Sequence, residues 1–130
     1  MFLHLLDDDQ KRAFLALAGN MVTRDGRADA VELEYLKRLM IESGLGRDLG
    51  AIKSTDEVNP QTFPVRNQQC AVVAELLILS ILDGSYDDGE AAFADSIVDA
   101  FGLSADDHET LCRIAEDAAG ALSKMRGLVG

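Results

Sequence analysis

The spacing of apolar residues along the chain predicts an all-α protein with five long helices. Residues 7–22 carry apolar side chains at i, i+3, i+4 and i+7, which lie on one face of a helix: Phe14, Leu17, Ala18 and Met21. Comparable patterns follow in four later segments, at 29–43, 66–82, 87–101 and 104–126. Gly44 and Gly102 stand at two predicted helix ends, and Gly26, after the first helix, is free to take a left-handed backbone conformation. The predicted fold is therefore a helical bundle.

The same pattern predicts which faces of the helices are buried. In the second helix Glu32 is expected to face outward, and the buried stripe is expected to be Leu33, Leu36, Leu39 and Met40. The last helix is expected to end at Arg126, before a frayed tail. Its inward side is predicted to comprise Leu111, Ile114, Ala115, Ala118, Leu122 and Met125.

An acidic turn occurs twice in the chain at a constant spacing. The first copy runs from Asp25 to Glu32 and the second from Asp83 to Glu90. Both have the pattern D-G-x-x-D-x-x-E, and the copies are 58 residues apart. The same offset relates Gly44 to Gly102. A repeat of this kind indicates an internally duplicated bundle of two helix-turn-helix units.

The repeat defines the organisation of one domain of 130 residues. The two units lie at about 7–45 and 66–103, and the C-terminal helix at 104–126 follows them. The connector, 46–65, is rich in glycine and proline signals. A short helix at 48–53 and a turn at 55–57 are expected within it.

The helix at 66–82 is apolar nearly all round and should lie at the centre of the bundle. Glu75 is the exception, and the 58-residue offset pairs it with Leu17. A core position of the repeat has thus become an acid. Because burying an unpaired carboxylate is unfavourable, Glu75 must reach water, a partner or a cation.

The chain is acidic, with 23 acidic and 12 basic residues and a formal net charge of −11. Such a surface repels nucleic acid and anionic lipid, so neither is an expected partner. It suits metal cations or a partner protein with a basic face. Solubility alone is the simplest explanation of the charge.

Membrane insertion is not expected, because the longest apolar run, 71–82, is shorter than a span and is broken by Glu75 and Ser80. The N-terminus lacks the basic start of a signal peptide, which favours the cytoplasm. Thiols stay reduced there. Cys70 and Cys112 are therefore predicted to be small buried apolar residues, without a disulfide or a metal role.

Enzymatic activity is not expected. The sequence contains no nucleophile elbow, P-loop, dinucleotide fingerprint or HExxH motif. Its two histidines, His4 and His108, stand apart and are expected at or near the surface. No organic cofactor is indicated.

The duplicated D-G-x-x-D-x-x-E, followed each time by a helix and Gly-Leu, resembles the TerB family of tellurite-resistance domains. The second copy carries the stronger match, through Asp83-Gly84, Tyr86, Asp87 and Glu90. The first copy departs from it at Ala28, where the family has a larger apolar residue. The resemblance covers the whole chain. It implies an all-helical duplicated domain, an acidic site for a divalent metal ion, and a role in stress response or protein interaction without catalysis.

The acidic residues are candidate ligands on chemical grounds as well, because hard divalent cations prefer carboxylate and carbonyl oxygens. The candidates are the acids of the two turns together with the acid of the central helix: Asp25, Asp29, Glu32, Glu75, Asp83, Asp87 and Glu90. The spacing is not that of an EF-hand, because Leu36 and Ala94 occupy the closing positions. Calcium, magnesium, manganese and zinc are not distinguished.

Helix capping is the alternative explanation of these acids. Asp29 with Glu32, and Asp87 with Glu90, have the spacing of a capping box, which needs no ligand. Asp25 and Asp83 instead follow a helix C-terminus, where the dipole disfavours an anion. Two functions follow: a TerB-like domain that binds a divalent cation, or an acidic protein-interaction module whose turns are caps only.

Overall fold

The computed structural model describes residues 1–23, 30–45, 58–82 and 88–129. Five α-helices form the bundle: α1 (Asp8–Thr23), α2 (Ala30–Ser43), α3 (Arg66–Ile81), α4 (Asp88–Phe101) and α5 (Ala105–Val129). Within the described ranges, two 3₁₀-helices, Leu3–Leu5 and Pro60–Thr62, precede α1 and α3. The described ranges contain no β-strand, which confirms the all-α class. No helix in these ranges is long and apolar enough to cross a bilayer.

α3 is the central helix. Every side chain from Ala71 to Ser80 is buried. The other four helices and the first 3₁₀-helix all pack against α3. Its most extensive contact is with α5. The central position that its all-round apolar sequence predicts is confirmed.

Side-chain caps fix the starts of two helices. At α1, the Asp7 backbone N–H donates to Gln10 Oε1 at 2.9 Å, and the Gln10 N–H donates to Asp7 Oδ1 at 2.8 Å, which is a reciprocal capping box. At α5, Ser104 Oγ accepts from the Asp107 N–H at 3.0 Å. The start of α3 differs, because Val65 at its N-cap makes no side-chain hydrogen bond.

Glycines end α2 and α4 in the same way. Gly44 has φ of +72° and Gly102 has φ of +70°. The Leu103 N–H then donates to Val98 O at 3.2 Å, so a carbonyl of the last turn of α4 is satisfied. Residues with a side chain are disfavoured in this conformation, which is why glycine stops the helix here.

The buried face of α2 is rotated from the predicted one. Its buried residues are Glu32, Tyr35, Leu36, Leu39 and Ser43, which follow helical spacing. Leu33 is exposed and Glu32 is buried, so both predictions were wrong. The buried face includes three residues with polar groups, Glu32, Tyr35 and Ser43. A prediction from apolar residues alone therefore selects the neighbouring face.

α5 also departs from its predicted pattern. It continues to Val129, three residues beyond its predicted end, where a frayed tail was expected. Ile114 and Met125 were expected to face inward and are instead exposed, whereas Leu111 and Ala115 are buried as predicted. The apolar stripe of this long helix is therefore only partly covered by the rest of the bundle.

The end of the connector is anchored in the core. Phe63 is fully buried and its ring meets that of Phe101 edge to face, with centroids 5.9 Å apart. The expected helix at 48–53 and turn at 55–57 lie outside the described residues.

Two glutamines that are 58 residues apart meet between α1 and α3. Gln10 Nε2 donates to Gln68 Oε1 at 3.0 Å and to Thr62 O at 2.9 Å. Gln68 Nε2 in turn donates to Leu5 O at 3.3 Å. The amide pair thus joins both helices to the segments that precede them.

We expect Gly102→Ala to lower the free energy of unfolding by about 1 kcal/mol, because the backbone there is left-handed. A Cβ at this position would meet nothing within 4 Å, so the loss reports the backbone alone. Urea unfolding measures it.

Gly120→Ala is the matched control. Gly120 lies inside α5 and its added Cβ would also meet nothing within 4 Å. Because alanine is the better helix former, the free energy of unfolding of this variant should rise by roughly 0.5–1 kcal/mol. Equal effects of the two substitutions would contradict a left-handed backbone at Gly102.

Candidate functional site

The candidate ligands are only partly within the described residues. Asp25, Asp29, Asp83 and Asp87 lie outside them, so their arrangement stays a prediction. Glu32, Glu75 and Glu90 are described, and all three are buried. Among the described residues, no group of three or more histidine, cysteine, aspartate or glutamate side chains is placed to hold a metal ion.

Glu32 and Glu90 occupy equivalent places. Each is the third residue of its helix, in α2 and α4 respectively, and the side chains are 4% and 8% exposed. The third helical position is the one that a capping box uses, and an anion is stabilised there by the helix dipole. Their predicted cap partners, Asp29 and Asp87, lie outside the described residues.

Glu75 is fully buried in the middle of α3, and both of its carboxylate oxygens are held by donors. Oε2 accepts the Tyr35 O–H at 2.9 Å. Oε1 accepts the Phe2 backbone N–H at 2.8 Å and lies 2.8 Å from the α-ammonium nitrogen of Met1. The same ammonium nitrogen is 2.6 Å from Glu42 Oε2. In the 130-residue chain a cation therefore balances the acid, and it is the α-amino group of Met1.

The neighbours of Glu75 were not predicted. Its apolar surroundings in the sequence indicate that it needs a partner, but Tyr35 and Phe2 are 40 and 73 residues away. No local spacing relates residues so far apart. Glu42 and Met1 belong to no recognisable sequence motif either. Only the fold brings these two residues to Glu75.

Tyr35 remains protonated beside this carboxylate. Burial raises the pKa of Tyr35 well above its usual range, and the charge of Glu75 raises it further. The phenol therefore acts as a hydrogen-bond donor that stabilises the buried anion. Its own ionisation would place a second negative charge against Glu75.

An apolar groove of about 600 Å³ opens beside this cluster. The N-terminal segment, α3 and α5 form its walls, through Phe2, Leu5, Cys70, Ala74, Leu111 and Ile114. Arg66 lies at its edge, with a guanidinium nitrogen 2.7 Å from Asp107 Oδ1. The hydrogen bond from Arg66 lowers the pKa of Asp107 below its usual range. Arg66 is exposed and Asp107 is only half-buried, so the pair adds little stability.

Both cysteines are free and half-buried. Cys70 faces the apolar groove, while Cys112 lies on α5. Burial raises the pKa of the Cys112 thiol, and the nearby carboxylate of Glu116 raises it further. A thiol in this surrounding is a poor nucleophile at neutral pH.

The two histidines are at or near the surface. His4 is exposed in the first 3₁₀-helix. His108 is half-buried, and its Nε2 lies 3.5 Å from Asp95 Oδ1.

The sequence matches no protein-family model, and searches of curated proteins and of solved structures found no significant match. The likeness to the TerB family therefore rests on the motif residues alone.

We expect Tyr35→Phe to lower the free energy of unfolding by about 1.5–3 kcal/mol, because it removes a hydrogen bond to a buried charge. In a Glu75→Gln background the same substitution should have a clearly smaller effect, since the charge is gone. Urea unfolding of the four proteins measures the coupling. Equal effects in the two backgrounds would rule out the pairing.

The raised pKa of Tyr35 predicts that stability is lost at high pH. Tyrosine in the unfolded chain ionises near pH 10, whereas Tyr35 in the folded chain stays neutral. The stabilisation is therefore complete below about pH 10 and declines as the pH rises above it.

A titration of tyrosinate absorbance measures this prediction, because the chain has two tyrosines, Tyr35 and Tyr86. We expect the signal of Tyr35 to develop only when the protein unfolds. Tyr35→Phe should then leave the folded-state titration curve unchanged. A loss of amplitude near pH 10 in that variant would show that Tyr35 titrates normally.

Proposed function

We propose that this chain is a non-enzymatic, internally duplicated helical domain of the cytoplasm that binds a divalent cation through its two acidic turns. The observation that carries the proposal is the equal register of the helices on either side of those turns. α1 and α3 differ by 58 residues at both ends, and so do α2 and α4. Each acidic turn thus connects an equivalent pair of helices.

Two further observations support the duplication. Gly44 and Gly102 end α2 and α4 with nearly the same φ. Gln10 and Gln68, also 58 residues apart, hydrogen-bond to each other between α1 and α3. Contact between equivalent residues is what packing of two similar units around a two-fold axis produces. Such packing would bring related features of the units into related positions.

The buried acids support a cation site near the turns. Glu32 and Glu90 are the last residues of the two acidic turns, and both are buried. They would place carboxylate oxygens beside Asp25, Asp29, Asp83 and Asp87, where a hard cation such as calcium or magnesium could be held. The net charge of −11 would attract such an ion. Tellurite resistance and stress response enter through the TerB resemblance only.

Glu75 has a separate position in this proposal. Its oxygens already accept from Tyr35, Phe2 and the α-ammonium group. To bind a metal ion it would have to release those donors. The turn acids are therefore the stronger ligand candidates, and a metal role for Glu75 stays a prediction.

The protein-interaction module is the second candidate, and the exposed acids of the helices favour it. α5 carries Glu109, Glu116 and Asp117 on its exposed side, and α2 carries Glu34. Glu109 and Glu34 pair with Arg113 and Arg38, which lie one helical turn away on the surface. A partner with a basic face could contact these exposed charges directly. In this case the acids of the turns would be helix caps.

Calorimetric titration with calcium, magnesium, manganese and zinc tests the cation proposal. We expect binding of at least one ion, and a loss of affinity of about tenfold or more in Asp25→Asn and in Asp83→Asn. Asp117→Asn, on the exposed side of α5, makes the same change of charge and should bind as the parent does. Absence of heat for every ion, or equal heat in all variants, would refute the proposal.

The interaction module predicts a different result for the same variants. A fluorescent oligolysine peptide should bind with a strong dependence on salt, because the contact is between exposed charges. Asp25→Asn and Asp83→Asn should then bind the peptide like the parent, while neutralising Glu116 and Asp117 together should weaken it.

A further inference from the structure

Two helices supply carboxylates that converge on the α-amino group of Met1. Glu42 comes from α2, Glu75 from α3, and the ammonium group precedes the first 3₁₀-helix. The nitrogen lies 2.6 Å from Glu42 Oε2 and 2.8 Å from Glu75 Oε1. Tyr35 holds the other oxygen of Glu75 at 2.9 Å. We call Glu42, Glu75 and Tyr35 the ammonium pocket.

The pocket has the chemistry of a built cation site. Glu75 is completely buried, and a buried carboxylate is unfavourable without a cation and hydrogen-bond donors. Among the described residues, the α-ammonium group is the one cation that contacts it. Without that group, Glu42 and Glu75 would meet as two like charges.

The pocket also distinguishes a chain N-terminus from a lysine side chain. Glu75 Oε1 accepts both the charged amine of Met1 and the backbone N–H of Phe2. Only an α-amine is followed directly by a peptide N–H. The side chain of Phe2 then packs against the core and forms part of the apolar groove. The matching ligand is a free α-amine followed by an apolar residue.

We propose that, in the 130-residue chain, the ammonium pocket binds the free α-amine of Met1 and thereby holds residues 1–5 as a strap that closes one wall of the apolar groove. Charge neutralisation of the α-amine, as by Nα-acetylation, would release this strap. The groove and Cys70 would then become more accessible. This proposal is independent of the acidic turns, since none of their residues belongs to the pocket.

The first test combines acetylation of Met1 with Glu75→Gln in the 130-residue chain. In the parent, acetylation should lower Tm by about 5 °C or more, because a buried charge loses its partner. In Glu75→Gln the same modification should change Tm by less than about 1 °C. A change of this size is what the loss of an exposed ion pair causes. Equal shifts in both backgrounds would overturn the proposal.

Glu42→Gln provides a second variant that should fold, because its side chain is 37% exposed. Reductive methylation of the α-amine should be about tenfold faster in this variant than in the parent, as a charge-assisted contact is lost. Lys124 is exposed and serves as the internal reference. Equal methylation rates of the α-amine in both proteins would contradict the pocket.

The strap itself is tested through the cysteines. Nα-acetylation should raise the rate of Cys70 modification by a thiol reagent about tenfold, because Cys70 and Phe2 line the same groove. Cys112 is the matched control, and acetylation should not change its rate of modification. Mass spectrometry resolves the two sites. An unchanged rate at Cys70 would show that residues 1–5 do not close the groove, and would refute this part of the proposal.

Discussion

A fully buried carboxylate at the centre of the most apolar helix constrains the rest of this bundle. Glu75 has no access to water, so the fold must supply its counter-charge and its hydrogen-bond donors. It does so from distant parts of the chain, through Tyr35 on α2 and the first two residues. One acid thereby ties three segments together. A leucine, as at position 17 in α1, would require none of these contacts.

The helices themselves follow from local rules. Asp7 with Gln10, and Ser104 with Asp107, make caps that depend on residues three positions apart. Gly44 and Gly102 end helices because of their own backbone freedom. The all-round apolar sequence of α3 similarly implies its central place. These features are predictable because each is decided within one or two helical turns.

The candidate site is harder to predict for a physical reason. Which face of α2 is buried depends on Tyr35 and Glu32, two buried polar residues, of which Tyr35 donates to Glu75. A pattern of apolar residues assigns such side chains to the surface, as it did for Glu32. The contacts of Glu75 span 40 and 73 residues, and they follow from the packing of helices rather than from spacing.

The glutamine pair between α1 and α3 has a consequence for how a local cap and a long-range contact are related. Gln10 accepts the Asp7 N–H at Oε1 and donates from Nε2 to Gln68 Oε1, so one side chain serves both. Gln68 in turn donates to Leu5 O, in the segment before α1. The start of α1 and its junction with α3 therefore depend on the same amide group. A change at this one side chain would loosen both together.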